Sequence, residues 1–484
     1  MKILIINPPR VMGLPVVREE RYEHKDFGAI YPPLNLLYTA SNLRKNKFDV
    51  ILIDANGFDI SFNKLANKID EIKPEIIISR CGFDTQDEDL RILKYAKDKF
   101  KSITIVRNKI ISDVPWLKKE FLEKNRFIDI FVNHELDFSI VDIVNHIVKV
   151  RNQDFYNELS KIDGISFIKD NEVISTKASD FSKIDIDEMP FPAYDLLPDL
   201  SPYHTGVSHF PFALIVTSRG CPFQCSFCAY SRMGYKIRKP EKIIEEFIWL
   251  KEKFALKSFL FFDDLLGLNK EAFTKLLNLM IENKLNLKWV GCTRANLLDD
   301  ELVKLMKKAG CEEMAIGIES GSEKVLSITK KGISLSDIRK AAKILHKNKI
   351  LFYGLAIIGL PGETKETINE TIEFIKEIDP FYTQFCFATP FPNTEIYKYY
   401  KDKGLLLTED WNKYFPLSAE PVIRTEALTE EELKYLRNYA YRKLILRPGY
   451  LIRKIRLFDW EWNIKGFIKI LERISAIIRK KTIR

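Results

Sequence analysis

The sequence predicts an α/β protein made of two parallel sheets in succession. A Rossmann-like, doubly wound unit is expected over residues 1–150 and a linker over 151–206, then a partial (β/α)6 TIM-like barrel over 207–420 and a basic helical extension over 421–484. Three observations lead there. Short apolar runs alternate with charged segments of helical period, and parallel pairing follows because the chain needs a crossover helix to re-enter a sheet in the same direction. At 484 residues, 46% of them hydrophobic, the chain can bury two to three cores. The residues that close the apolar runs in the second half are unusually polar, and ligands of parallel sheets collect outside the carboxyl ends of the strands.

In the first unit, strands are expected at Lys2 to Ile6, Val50 to Ile53, Ile76 to Ser79, Ile103 to Val106 and Ile128 to Val132, with helices such as Leu34 to Lys45 and Asp87 to Lys99. No GxGxxG follows the first run, which disfavours a dinucleotide fold. In the second, strands are expected at Phe212 to Thr217, Ser258 to Phe262, Lys288 to Thr293, Met314 to Ile318, Leu351 to Ile358 and Tyr382 to Ala388. Helices lie between them at Glu241 to Lys253, Glu271 to Glu282, Asp299 to Lys308 and Lys365 to Ile378. There is no internal repeat and no apolar run long enough to span a bilayer, and no signal peptide is expected, since Met1 to Asn7 is too short and lacks a cleavage site. A cytoplasmic location is expected.

The densest chemical signal is Arg219-Gly-Cys-Pro-Phe-Gln-Cys-Ser-Phe-Cys-Ala-Tyr230, which directs three thiols, Cys221, Cys225 and Cys228, from one loop in CxxxCxxC spacing. Thiolates of a cytosolic chain bind metal before they pair with one another. Zinc is the chief rival to an iron-sulfur cluster, and it ordinarily takes a fourth protein ligand from a second CxxC or HxxxH pair, which this chain lacks. Cys81, Cys292, Cys311 and Cys386 each stand apart from other cysteines. Beyond the cysteine loop, successive strands end at Asp263-Asp264, Thr293-Arg294, Glu319-Ser320-Gly321 and Gly359-Leu-Pro-Gly-Glu363. Carboxylates suit an ammonium and ribose hydroxyls, a guanidinium suits a carboxylate, and glycine admits a flat base close to the backbone.

These features together resemble the radical S-adenosylmethionine superfamily. The cysteine loop, Phe227 within it, Phe261-Phe-Asp-Asp264, Thr293-Arg-Ala-Asn296, the stretch from Ala309 to Leu326 and Ile357-Ile-Gly-Leu-Pro-Gly-Glu-Thr364 follow in the order of the superfamily's motifs. The resemblance implies a 4Fe-4S cluster on Cys221, Cys225 and Cys228, with one iron left for S-adenosylmethionine, whose reductive cleavage gives a 5'-deoxyadenosyl radical. It implies that the strand end at Asp263 and Asp264 holds the methionine amino group, Arg294 its carboxylate, Glu319 the ribose, and Ile358 with Gly359 the adenine. Flavodoxin or ferredoxin would supply the electron.

The first unit resembles the cobalamin (B12)-binding domain attached to many of these enzymes, through Ile5-Ile-Asn-Pro-Pro9, Tyr31-Pro-Pro-Leu-Asn-Leu-Leu-Tyr38 and Phe48-Asp-Val-Ile-Leu-Ile-Asp-Ala55. Glu188 to Leu197 and Thr389 to Glu395 have counterparts there as well. By that resemblance Asn7, Gly82, Asp84 and Thr85 would meet cobalamin. The pattern is broken in places. Asn56 stands where an axial histidine would be, Val106-Arg-Asn-Lys109 replaces a glycine-rich stretch, and Asn133-His-Glu135 replaces a glycine-glutamate turn.

From Arg442 to Arg484 there are thirteen basic and three acidic residues, a net +10, so the remaining 441 residues carry about −1 of the chain's +9. Within it Ile464, Phe467, Ile468, Leu471, Ile474, Ile477 and Ile478 fall at helical spacing beside Lys465, Lys469 and Arg473. Such a helix suits either an anionic membrane surface or packing on the barrel. Nucleic acid is not expected, for want of a binding fold. The resemblance favours a cobalamin-dependent methyltransferase that acts on an unactivated carbon of a small or lipid-like substrate. A radical cyclase, oxidase or rearrangement enzyme without cobalamin remains open, as does a non-catalytic iron-sulfur electron-transfer or scaffold protein.

Overall fold

The computed structural model describes residues 1–19, 24–25, 29–149, 155–178, 184–205 and 209–447. The expected helix at Ile464 to Ile478 lies outside them. The first sheet comprises β1 (Lys2–Asn7), β2 (Asp49–Asp54), β3 (Ile76–Arg80), β4 (Ile103–Arg107), β5 (Ile130–Val132), β6 (Ile165–Lys169) and β7 (Glu172–Ser175), in the order β2-β1-β3-β4-β5-β6-β7. Pairing is parallel as far as β5. The reversal of order beside β1 is the doubly wound topology. β1 and β3 are buried almost throughout because helices such as α1 (Leu34–Lys45) and α2 (Gln86–Phe100) cover both faces of such a sheet.

Residues 165–175 fall inside the span read from the sequence as linker. They form an antiparallel hairpin, β6–β7, which extends the first sheet beyond β5.

The second sheet comprises β8 (Phe212–Ile215), β9 (Ser258–Phe261), β10 (Lys288–Thr293), β11 (Cys311–Glu319), β12 (Leu351–Ile358) and β13 (Tyr382–Phe387), paired in that order and all parallel. Along β12 and β13 fully buried residues alternate with half-buried ones. Phe352, Ala356 and Ile358 turn one way and Tyr353, Leu355 and Ile357 the other, because successive side chains leave opposite faces of a strand.

β8 and β13 are the two ends of this sheet's pairing order, and an open edge strand exposes unpaired backbone groups. A tyrosine hydroxyl meets each. Tyr194 accepts from the Leu214 N–H at 3.0 Å and donates to its carbonyl at 3.1 Å. Tyr441, on α3 (Glu430–Ile445), does the same for Phe385, at 3.0 and 3.4 Å. Segments from the expected linker and extension therefore finish the barrel.

Candidate active site at the carboxyl ends of the second sheet

The cysteine loop leaves β8 and is shaped from beneath by the strand end that follows β9. Asp263 accepts from the N–H groups of Thr217 (2.6 Å) and Ser218 (2.9 Å) and from the Thr217 hydroxyl, while Asp264 accepts from the Gly220 N–H at 2.8 Å. Gly220 has φ +88°, and a Cβ there would lie 1.7 Å from the Gly234 carbonyl oxygen, so only glycine fits. Burial pushes the Asp263 carboxyl up to about 6 against the pull of its hydrogen bonds. Both Asp263 oxygens are committed to the loop, and the residue is 1% exposed.

Within the loop, Cys225 is buried and Cys221 and Cys228 are half-buried. The Cys228 N–H donates to the Cys225 carbonyl (3.1 Å), and the Met233 N–H returns to the Cys221 carbonyl (2.9 Å). The Ser226 N–H ties the loop to the Thr329 carbonyl at 3.0 Å. A four-iron cube holds its cysteines at separate corners.

Arg294 closes over this loop. Its guanidinium stacks 3.8 Å above the Phe223 ring and points NH1 at the Cys225 sulfur, 3.6 Å away, while NH2 donates to the carbonyls of Lys331 and Gly332. Its Nε is buried without an acceptor. A buried cation against a cysteine sulfur, with donor capacity left over, fits an anionic cluster and a nearby carboxylate.

Glu319, at the end of β11, receives the Lys331 ammonium at 2.6 Å in a buried pair, and that ammonium also lies 5.8 Å from the Phe227 ring. Glu319 has φ +61°, a left-handed conformation that costs about 1–3 kcal/mol in a residue with a Cβ and is typical of functional positions. The sequence reading missed Lys331. Its only sequence signal is the basic pair Lys330-Lys331 before Gly332.

At the end of β12 the Ile358 side chain is buried in the main core. By the strand's alternation the neighbouring Ile357 leaves the opposite face. Ile357 is half-buried and packs with Phe227 around Val325, Leu360 and Ala388. Gly359 turns at φ +90°. Its N–H donates to Glu363 at 2.6 Å, and its carbonyl accepts from the Tyr400 hydroxyl. Glu363 is fully buried, also receives the Leu360 N–H at 3.1 Å, and leaves Oε1 without a partner. Burial pushes its carboxyl up to about 8.

The first sheet's residues are disposed differently. Asn7 donates to Asp54 (2.8 Å), which also receives the Tyr203 hydroxyl (2.7 Å). The Gly82 N–H and the Thr85 hydroxyl both donate to Asp89, which pairs bidentately with buried Arg18. Asn7, Gly82, Asp84 and Thr85 are all buried, and Asn56 accepts the Val16 N–H instead of facing out. The polar atoms of Asn7 and Thr85 are thus engaged in shaping these loops. The two sheets are joined next to the cysteines. Arg219 pairs with Asp137 (2.5 Å) and Glu135 (3.2 Å), all largely buried.

Residues 215–375 match the family model of the radical SAM superfamily. An uncharacterized methyltransferase of Pyrococcus horikoshii is 32% identical over 94% of this chain and 95% of its own length. The chain belongs to the radical SAM superfamily. A second relative of this radical SAM protein, the anaerobic magnesium-protoporphyrin IX monomethyl ester cyclase of Cereibacter sphaeroides, is 26% identical over 90% of this chain and 69% of its own. The fold matches the solved structure of the radical S-adenosylmethionine methyltransferase TsrM from Kitasatospora setae with cobalamin and a 4Fe-4S cluster bound. That match has a TM-score of 0.69 at 15% identity, over 93% of this chain and 89% of the other. Among the described residues no helix is long and apolar enough to cross a membrane.

Proposed function

We propose that this radical SAM protein methylates an unactivated carbon of a small-molecule substrate, with Cys221, Cys225 and Cys228 holding a 4Fe-4S cluster and a corrinoid as methyl carrier. The observation that carries the reading is the convergence of Arg294, Lys331 and Glu319 on the cysteine loop. Full-length similarity to a protein named as a methyltransferase, and a fold shared with a cobalamin-bound one, support the reaction type. When bound, the cluster supplies the electron that cleaves the sulfonium of S-adenosylmethionine, and the corrinoid supplies the methyl group.

The chain's own residues bind and orient. Arg294 turns its spare donor capacity to the methionine carboxylate. Lys331 and Glu319 form a charged pair beside it, with Glu319 meeting the ribose and Lys331 holding Glu319 in its left-handed conformation. Phe227 and Ile357 give the adenine an apolar wall, and Glu363 with Tyr400 fixes the Gly359 turn beside it. Asp263 and Asp264 keep the cysteine loop in shape. A corrinoid would meet loops that Asn7, Gly82, Asp84 and Thr85 hold in place. Such alignment in a water-poor space is what a radical step needs from a protein.

Ring cyclisation is the second reading, favoured by the likeness to the cyclase over 90% of this chain and 69% of that protein. Flavodoxin or ferredoxin serves as electron donor in either case, and the basic segment from Arg442 onward is proposed to touch anionic membrane. Anaerobic reconstitution followed by iron, sulfide and corrin analysis of one sample tests the methylation reading. About one corrin per chain is expected, and corrin at background beside a full complement of iron would leave cyclisation as the better account.

A further inference from the structure

The two stretches in which the first unit departs from the family pattern, Val106 to Lys109 and Asn133 to Glu135, meet in space. Arg107 closes β4, and its NH1 donates to the Ser112 hydroxyl (2.6 Å), the Asn108 carbonyl (2.9 Å) and, across to β5, the Val132 carbonyl (3.5 Å). Lys118, from the following helix at Pro115–Lys124, donates to the Asn133 side chain at 3.0 Å. His134 is half-buried beside them, and burial together with Arg107, Lys109 and Lys118 holds its imidazole below the ordinary range.

The charges do not balance. Asp113 neutralises Lys109 through contacts at 2.6 and 2.8 Å. Among the described residues no carboxylate forms an ion pair with Arg107 or Lys118, although they are only 1% and 8% exposed, and the Arg107 Nε is buried without an acceptor. A guanidinium cannot shed its proton, and burying an unpaired cation is costly unless an anion joins it. The cluster also borders the cysteine loop. Asn393 donates both to Asp113 (3.1 Å) and to the carbonyl of Ala229, the residue after Cys228 (2.9 Å).

We propose that Arg107 and Lys118 form an oxyanion site that takes a phosphate group, free or esterified, next to the cysteine loop, the anion replacing the Asn133 carbonyl oxygen as acceptor for Lys118. Arginine presents planar donors, and lysine a compact charge, both of which suit phosphate oxygens. The site is independent of the radical reading, since it uses neither the cysteines nor the S-adenosylmethionine residues.

The test is thermal unfolding of the full-length, anaerobically purified protein in phosphate against chloride at equal ionic strength. Phosphate is expected to raise the midpoint by about 2 °C or more. Lys119→Met, which removes an exposed neighbouring charge, should keep the whole response, and Arg107→Gln should lose it. Lys118→Met covers the case in which Arg107→Gln fails to fold. Without phosphate its midpoint should equal or exceed the wild-type value, because an uncompensated buried charge is gone, and with phosphate it should fall below. Hydroxocobalamin carries a phosphodiester and cobinamide does not. A Lys118-dependent shift with hydroxocobalamin but not cobinamide assigns the phosphate to a corrinoid, and a shift with inorganic phosphate alone assigns it to a free or substrate-borne group. Equal midpoints in phosphate and chloride with no Lys118-dependent shift from hydroxocobalamin, or the same phosphate shift in wild type and Lys118→Met, would overturn the proposal.

Discussion

The carboxyl ends of β1 to β3 and those of β10 to β12 carry similar groups, an arginine with carboxylates and hydroxyls at each, yet they use them differently. In the first sheet Arg18 meets Asp89 at 2.6 and 2.8 Å and donates to the carbonyls of Pro8 and Pro9. In the second, Arg294 finds backbone carbonyls, a cysteine sulfur and a ring, but among the described residues no carboxylate. A buried guanidinium that has its carboxylate is part of the scaffold. One that lacks it has binding capacity in reserve, and Glu319, linked to the same edge through Lys331, is held at φ +61°.

The largest expected effect falls on the cysteines. Cys225→Ala should reduce release of 5'-deoxyadenosine to background, whereas Cys292→Ala and Cys386→Ala, half-buried on β10 and β13, should leave cluster iron in place. The Cys386 thiol, pushed up to about 11 by burial, is a poor thiolate source. Next comes Arg18→Met, which leaves Asp89 buried without its ion-pair partner. It should destabilise the first sheet by about 3–5 kcal/mol in denaturant unfolding, while S-adenosylmethionine cleavage per folded molecule stays at the wild-type rate. A large loss of cleavage there would erase the distinction between the two edges. Arg294→Ala should weaken S-adenosylmethionine binding by about 1.5–3 kcal/mol with iron retained, as read by equilibrium binding to reconstituted protein.

Much of this arrangement was legible beforehand, and what was not has physical reasons. Helix Leu34–Lys45 and strands Lys288–Thr293 and Leu351–Ile358 fall where periodicity and β-branched content put them. The cysteine loop was legible because its ligands are local. Lys331 was not, because its distance to Glu319 depends on the turn of helix Glu323–Ile328. Ile357 and Ile358 differ only in which face of β12 they leave, and an apolar run carries no mark of that phase. That Asp263 also receives the Thr217 and Ser218 N–H groups is revealed only by the fold, because those groups lie more than forty residues away in the sequence. Tyr194 and Tyr441 were invisible as edge caps, since each meets a strand distant in sequence.

A smaller effect sharpens the comparison through pH. Glu363 titrates from an ordinary 4.5 to about 8 in the folded protein, so over that window the folded chain holds a proton the unfolded chain has released. Stability should fall as pH rises from 4.5 to 8, by at most about 1.4 kcal/mol per pH unit from this group. Glu363→Gln keeps an acceptor for the Gly359 N–H and should flatten that slope in denaturant unfolding followed across the window.

The central claim is that the edge of the second sheet is built around a cluster on three cysteines with Arg294 and Lys331 serving S-adenosylmethionine. Its most direct test is iron, labile sulfide and S-adenosylmethionine affinity measured together on anaerobically reconstituted wild type, Cys225→Ala and Lys331→Met. About four irons and four sulfides per chain are expected in wild type and in Lys331→Met, with S-adenosylmethionine affinity reduced only in the latter, and no stable cluster in Cys225→Ala. A full cluster in Cys225→Ala, or a single zinc per wild-type chain, would contradict it.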